Sequence, residues 1–141
     1  MTKDDSRALI ARIVAGVSQQ DIAALMREYA DDCVLESPTA GGEVRGAPAI
    51  ERVFRTWFSA FPNLEYKTER IIVDEDDIVV IALLTGRDDG GFMGLTPSHK
   101  SFRIPLVAIF TIRDGRIVRE RRILDFTGFL VQIGVLKAKP A

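Results

Sequence analysis

The chain predicts an α+β fold, with three N-terminal helices packed on one face of a curved, largely antiparallel sheet. Three observations point there. Helical spacing of apolar residues is confined to the N-terminal part, and period-two alternation takes over from about Leu64 onward. Asp114-Gly115 sits between two such alternating runs, a strong hairpin signal because tight hairpin turns need positive φ. Finally, runs apolar at every position, such as Ile78 to Leu84, require cover on both sheet faces. They predict a sheet that curls around a core and also meets a second copy of the chain.

The elements follow in order. Leu9, Ile10, Ile13, Val14 and Val17 form one helical stripe, predicting a helix over about 4–17 with Asp4, Asp5 and Ser6 at its favourable acidic end. Asp21 is positioned to cap a shorter helix carrying Ile22, Leu25 and Met26 and ending near Tyr29 and Ala30. Cys33 to Glu36 reads as a short strand, stopped by Ser37-Pro38 and followed by a loop containing Gly41 and Gly42. A third helix follows Gly46, with Pro48 tolerated in its first turn and Ile50, Val53, Phe54, Trp57, Phe58 and Phe61 as its inner stripe.

Four strands come next, over 65–73, 78–87, 102–112 and 116–126. Asp74 to Asp77 reads as a solvated turn in preference to a cation site. Asp88 to Lys100, with Gly90, Gly91, Gly94 and Pro97, is too long for a tight hairpin and suits the rim of a pocket. The last strand is unusual: each face, read by strict alternation, begins charged and ends apolar. Asp125 stands at its end amid Ile123, Leu124, Phe126 and Phe129, where a carboxylate is expensive to bury unless paired or put to use.

The 141 residues are expected to form a single domain, residues 1–141. With 19 Lys plus Arg against 20 Asp plus Glu, nothing in the charge balance favours nucleic acid or a membrane surface as partner. One Cys and one His cannot furnish the usual four-ligand zinc site, and neither a metal nor another cofactor is expected. Lys3, Asp4, Asp5 and Arg7 precede any apolar run, so no signal peptide or membrane span is expected and the cytoplasm is the default compartment. Cys33 reads as a small buried apolar residue and His99 as an exposed loop residue.

Several stretches in order resemble the SnoaL-like polyketide cyclases and ester cyclases of the nuclear transport factor 2-like superfamily. They are Ala30-Asp31-Asp32-Cys33, Phe61-Pro62-Asn63-Leu64, Gly91-Phe92-Met93-Gly94 through Pro97 and Lys100, and Asp114-Gly115-Arg116-Ile117. Asp125-Phe126-Thr127-Gly128-Phe129, running to Gln132-Ile133-Gly134, completes the set. The resemblance implies a cone of curved sheet wrapped on helices, an apolar cavity open at one end, and commonly a homodimer on the outer sheet face. It also implies that Asp125 serves as acid/base in an intramolecular aldol ring closure. The chain departs from the family where Glu120-Arg121 replaces a His-Trp pair and Asp88 a His. Ketosteroid isomerases of the same superfamily are a poorer match, since Ser37 and Ala108 stand where their catalytic aspartates belong.

The expected function is therefore cofactor-independent acid/base chemistry, of cyclase or isomerase type, on a small, largely apolar carbonyl compound. Asp125 is its catalytic candidate, because an unpaired carboxylate in an apolar cavity titrates closer to neutrality. A structural ion pair with Arg121, Arg87 or Arg103 is the competing reading. Glu120, Arg121, Arg87, Asp89, Trp57 and Phe92 are candidates for the cavity wall or the substrate site, and Tyr29 and Tyr66 could donate to a ligand. Two other functions remain open. One is a non-catalytic binding protein for an apolar metabolite; the other resembles the limonene-epoxide hydrolases, with Arg87 orienting Asp89 and Asp125 as an Asp-Arg-Asp set.

Overall fold

The structure is a computed structural model and describes residues 1–137. Helix α1, Lys3–Gln19, starts one step earlier than the acidic cluster suggests, because Thr2 caps it. The Thr2 hydroxyl accepts from the Asp5 N–H at 3.0 Å while the Asp5 carboxylate accepts from the Thr2 N–H at 2.9 Å, a reciprocal capping box. Its inner stripe, Leu9, Ile10, Ile13 and Val17, is buried as the periodicity requires. Helix α2, Ile22–Met26, is capped by Asp21 but stops before Tyr29. Tyr29 instead opens strand β1, Tyr29–Ser37, which is longer than the expected Cys33–Glu36. The acidic pair Asp31 and Asp32 hid its N-terminal half from a hydrophobicity reading, since both side chains face solvent there.

A 3-10 turn at Pro38–Ala40 leads into strand β2, Gly42–Arg45, in what the sequence suggested was only loop. Helix α3, Ala47–Ala60, buries Ile50, Phe54, Trp57 and Phe58. Strands β3 (Glu65–Asp74), β4 (Asp77–Arg87), β5 (Ser101–Arg113) and β6 (Arg116–Leu124) follow, and helix α4, Phe126–Gln132, ends the described elements. The six strands form one sheet in the order β2-β1-β6-β5-β4-β3. Every neighbouring pair is antiparallel except β1 and β6. This is the expected α+β arrangement, a curved and unclosed sheet on a helical layer.

Two β-bulges decide what faces inward. On β6, Thr111 of β5 pairs with Arg119 whereas Ile112 pairs with Ile117, leaving Val118 as the extra residue. The bulge reverses the facing of everything beyond it. Ile117 is buried before it, and Glu120 is buried after it with Arg122 and Leu124 on the same side. The charged-then-apolar pattern of the sequence is the trace of this slip. On β3 the extra residue is Glu69, between pairs Thr68–Ala82 and Arg70–Ile81, so Tyr66, Thr68, Ile71 and Val73 all lie on the helix side.

An aromatic cluster holds the helices to one end of the sheet. Trp57, Phe61, Phe92, Phe102 and Phe129 approach one another with ring centroids 4.8–6.4 Å apart. Full burial of each such ring stabilises by about 1.5–3 kcal/mol. Phe129, fully buried, fastens α4 to this cluster, and so β6 must end where α4 begins.

Candidate functional site

A small cavity of about 40 Å³ lies between α1, α3 and the concave face of the sheet. Ile13, Val17, Phe54, Phe58, Leu84, Leu106 and Phe110 give it an apolar wall, and Trp57 reaches it from the aromatic cluster. Into this wall the inward face of β6 places Glu120 and Arg122, β1 places Tyr29, and β3 places Tyr66. Ala108, paired with Arg122 across the β5–β6 ladder, is small enough to leave the guanidinium room.

The polar groups form one connected set. The Tyr29 hydroxyl donates to Glu120 Oε1. Arg122 Nε donates to Glu120 Oε2 at 2.6 Å, and a second guanidinium nitrogen reaches Oε1 at 3.4 Å. The guanidinium also stacks over Phe54, 5.1 Å from the ring centroid, a cation–π contact with most of its water removed. Only 4% of the Glu120 side chain and 12% of the Arg122 side chain is exposed, so the pair is screened little by solvent. Burial and the Glu120 charge hold the Tyr29 phenol well above its usual range. Burial works to lower the Arg122 value, but Glu120 and Tyr29 together more than offset it, and the guanidinium stays firmly protonated.

Tyr66 completes the set in a different way. Its hydroxyl is buried and has no hydrogen-bond partner among the described residues, nor has the Thr68 hydroxyl two residues on. Burial first, and then the Glu120 charge, raise the Tyr66 value as well, so it remains a donor throughout the physiological range. A carboxylate has about four acceptor positions, and Tyr29 and Arg122 do not fill all of those on Glu120. The arrangement can thus take a proton at Glu120 and give a hydrogen bond from Tyr66 within one apolar space.

The sequence profile of the SnoaL-like polyketide cyclases matches residues 8–133. The chain belongs to the SnoaL-like polyketide cyclase family. No curated protein sequence matches it. Among solved structures, TsrD from Streptomyces laurentii is 23% identical with a TM-score of 0.85, covering 96% of this chain and 99% of its own. A proposed SnoaL-like polyketide cyclase from Jannaschia sp. CCS1 is 25% identical with a TM-score of 0.83, covering 95% and 94%. AclR from Streptomyces galilaeus, a proposed hydroxylase, is 24% identical with a TM-score of 0.86, covering 99% and 87%. The first and third establish the common SnoaL-like fold alone.

Within this SnoaL-like chain the residues singled out by sequence fall in different places. Glu120 and Trp57 line the cavity. Asp125 does not: it is exposed, and its Oδ1 accepts from the Gly128 N–H at 2.9 Å as the N-cap of α4. The expectation of Asp125 in a dry cavity at the end of a strand is corrected on this point, because the chain has already turned into a helix there. Gly128 permits the cap, since a Cβ at that position would lie 2.0 Å from the Asp125 carboxylate. No Arg pairs with Asp125 among the described residues either, so neither of its two expected environments is found. Arg121 lies on the outer face, its side chain 60% exposed and 3.7 Å from Glu36.

Arg87 and Asp89 pair with each other at 2.8 Å on the surface, where His99 also meets Asp89 at 3.1 Å. Of the expected Asp-Arg-Asp set, Arg87 and Asp89 thus keep together on the surface while Asp125 caps α4 elsewhere, and none of the three lines the cavity. Phe92 is buried in the aromatic cluster and packs against Trp57, one layer behind the cavity wall. Asp88, in place of the family's frequent His, is buried and accepts from the Gly91 N–H at 2.9 Å and from Ser98 N–H and Oγ at 3.0 and 2.9 Å. It pins the long loop over 88–100 to itself.

Arg122 is the site residue that the sequence did not single out, standing there as one charge in the alternating run 119–122 expected to make cross-strand or intersubunit pairs. The signal was present in its spacing of two from Glu120, but reading it required the bulge at Val118. Among the described residues no cluster of three His, Cys, Asp or Glu is arranged to hold a metal ion, and no helix is long and apolar enough to cross a membrane.

Proposed function

We propose that this SnoaL-like protein is a cofactor-independent acid/base enzyme acting on a small, largely apolar carbonyl compound, with Glu120 in the role first expected of Asp125. The observation that carries the reading is the unpartnered Tyr66 hydroxyl beside the Tyr29–Glu120–Arg122 set in an otherwise apolar cavity. Glu120 takes a proton from the carbon next to a carbonyl, and the enolate oxygen that results receives the hydrogen bond of Tyr66. The carbanion then closes on a second carbonyl of the same molecule, forming a carbon–carbon bond. The alkoxide so made takes back the proton from Glu120. Tyr29 and Arg122 hold the carboxylate in orientation through the cycle.

Incubation with a panel of aryl and alkyl diketones, followed by mass spectrometry and NMR, tests this directly. Ring-closed isomers or their dehydrated forms are expected. Ligands that bind and return chemically unchanged favour the second reading, a non-catalytic binding protein for an apolar metabolite. That reading draws on the completeness of the Glu120–Arg122 pairing and the small size of the cavity.

The same proposal includes a homodimer. The outer face of the sheet carries Ile72, Val79, Ile81, Val107, Ile109 and Ile123 as neighbours in register, with Ile72 39% and Ile123 45% exposed. A second copy of the same surface would cover it. Sedimentation at micromolar concentration is expected to give a dimer, and Ile81→Arg a monomer. A monomeric wild-type protein would contradict it.

A further inference from the structure

The cavity at Glu120 holds roughly three water molecules by its volume of about 40 Å³, and no ring system fits there as the side chains stand. Directly behind Tyr66 lies a much larger space. A groove of about 620 Å³ runs between α1 and β3, floored by Ile10, Val14 and Ile71 and flanked by the small residues Ala11 and Ala15. Its size is that of an ordinary ligand site. Because β3 is the last strand of the sheet, the groove is open along its side. Tyr66 is a wall of both spaces. Thr68, on the same face of β3 and also in the groove, carries the other buried hydroxyl without a partner. Buried hydroxyls in native proteins are nearly always satisfied, and the Tyr66 hydroxyl, in the wall that the two spaces share, is left for a further polar group to complete.

We infer that Tyr66 is a gate and specificity residue, and that its displacement joins the cavity and the α1–β3 groove into one elongated site. The ligand is then an elongated amphiphile. Its carbonyl head sits between Glu120 and the Tyr66 hydroxyl, and its apolar body lies along Ile10, Val14 and Ile71. This rests on the assignment of the Glu120 cavity as the carbonyl site, and it adds where the rest of the molecule goes.

The protein has a single Trp, Trp57, in the cavity wall, so its fluorescence reports ligand without a label. Methyl ketones with propyl, hexyl and decyl chains are titrated against wild type, Ala15→Phe and Tyr66→Phe. Affinity is expected to rise about tenfold or more from the propyl to the decyl ketone, as added methylenes leave water. Ala15→Phe fills the groove from an exposed helix position and should erase that gain while leaving the propyl ketone unaffected. Tyr66→Phe should weaken the whole series by a similar factor. Affinity independent of chain length, a decyl ketone indifferent to Ala15→Phe, or no fluorescence response across the series would each overturn the inference. The failure of the catalytic reading looks different: wild type would bind the series with the predicted length dependence and Ala15→Phe sensitivity, yet turn over no diketone.

Discussion

Two carboxylates five positions apart near the end of one strand have opposite fates. Asp125 stands in the more apolar stretch of sequence, yet its side chain is exposed and spends its oxygen on capping α4. Glu120 stands among arginines, yet only 3% of it is exposed and it joins Tyr29 and Arg122 beside the cavity. The contrast teaches that local composition does not decide burial at the end of a sheet. A single extra residue at Val118 turns Glu120 inward, and the need to bury Phe129 ends the strand before Asp125 can follow it.

The largest effect that could break this comparison is on stability. Glu120→Gln leaves the Arg122 guanidinium buried without its counter-charge, and a loss of about 3–5 kcal/mol is expected in denaturant unfolding. Replacing all three connected polar groups, Glu120→Leu with Arg122→Met and Tyr29→Phe, should recover most of that loss, because an apolar set leaves no buried hydroxyl or charge without a partner. If the single and triple variants were equally unstable, the ion pair would not be the reason. Asp125→Ala should cost about 1 kcal/mol as the loss of an N-cap, and Asp125→Asn much less, since Asn caps a helix about as well.

A pH scan sharpens the same contrast. The Tyr29 phenol is raised above its unfolded value of 10.0 by burial and by Glu120. A raised value means that the folded state keeps a proton the unfolded chain gives up. Its contribution is therefore complete below about pH 10 and is lost as pH rises through the folded value. Melting temperature should fall in this alkaline range, and Tyr29→Phe should show a shallower fall. Asp125→Asn should leave that part of the profile as it is in wild type. A smaller effect concerns Cys33, whose thiol burial raises to about 11; it should resist alkylation at neutral pH until the protein unfolds.

Much of this architecture was legible in the residues. The stripes of α1 and α3, the Asp114-Gly115 turn and the long alternating strands each rest on a local rule that the tertiary structure obeys. The elements missed were those whose reasons are not local. β2 and the opening of β1 contain little hydrophobic pattern; β2 is held by its ladder to Val34–Ser37 of β1, and Tyr29 by its pairing with Ile117 of β6. The cavity was harder still, since alternation through an unseen bulge gives the facing of β6 only up to Val118. Trp57 and Glu120 could be named as candidates, but their connection through Tyr29 and Arg122 required the sheet order, in which β1 lies beside β6.

Diketone ring closure by wild type, Glu120→Gln and Asp125→Asn, each first shown to be folded by Trp57 fluorescence, tests the central claim most directly. Glu120→Gln should lose about a hundredfold or more in kcat, the usual contribution of a positioned acid/base, while Asp125→Asn should stay within about twofold of wild type, as expected of an exposed cap. Full activity in Glu120→Gln together with its loss in Asp125→Asn would return the chemistry to the strand end and contradict the assignment made from this cavity.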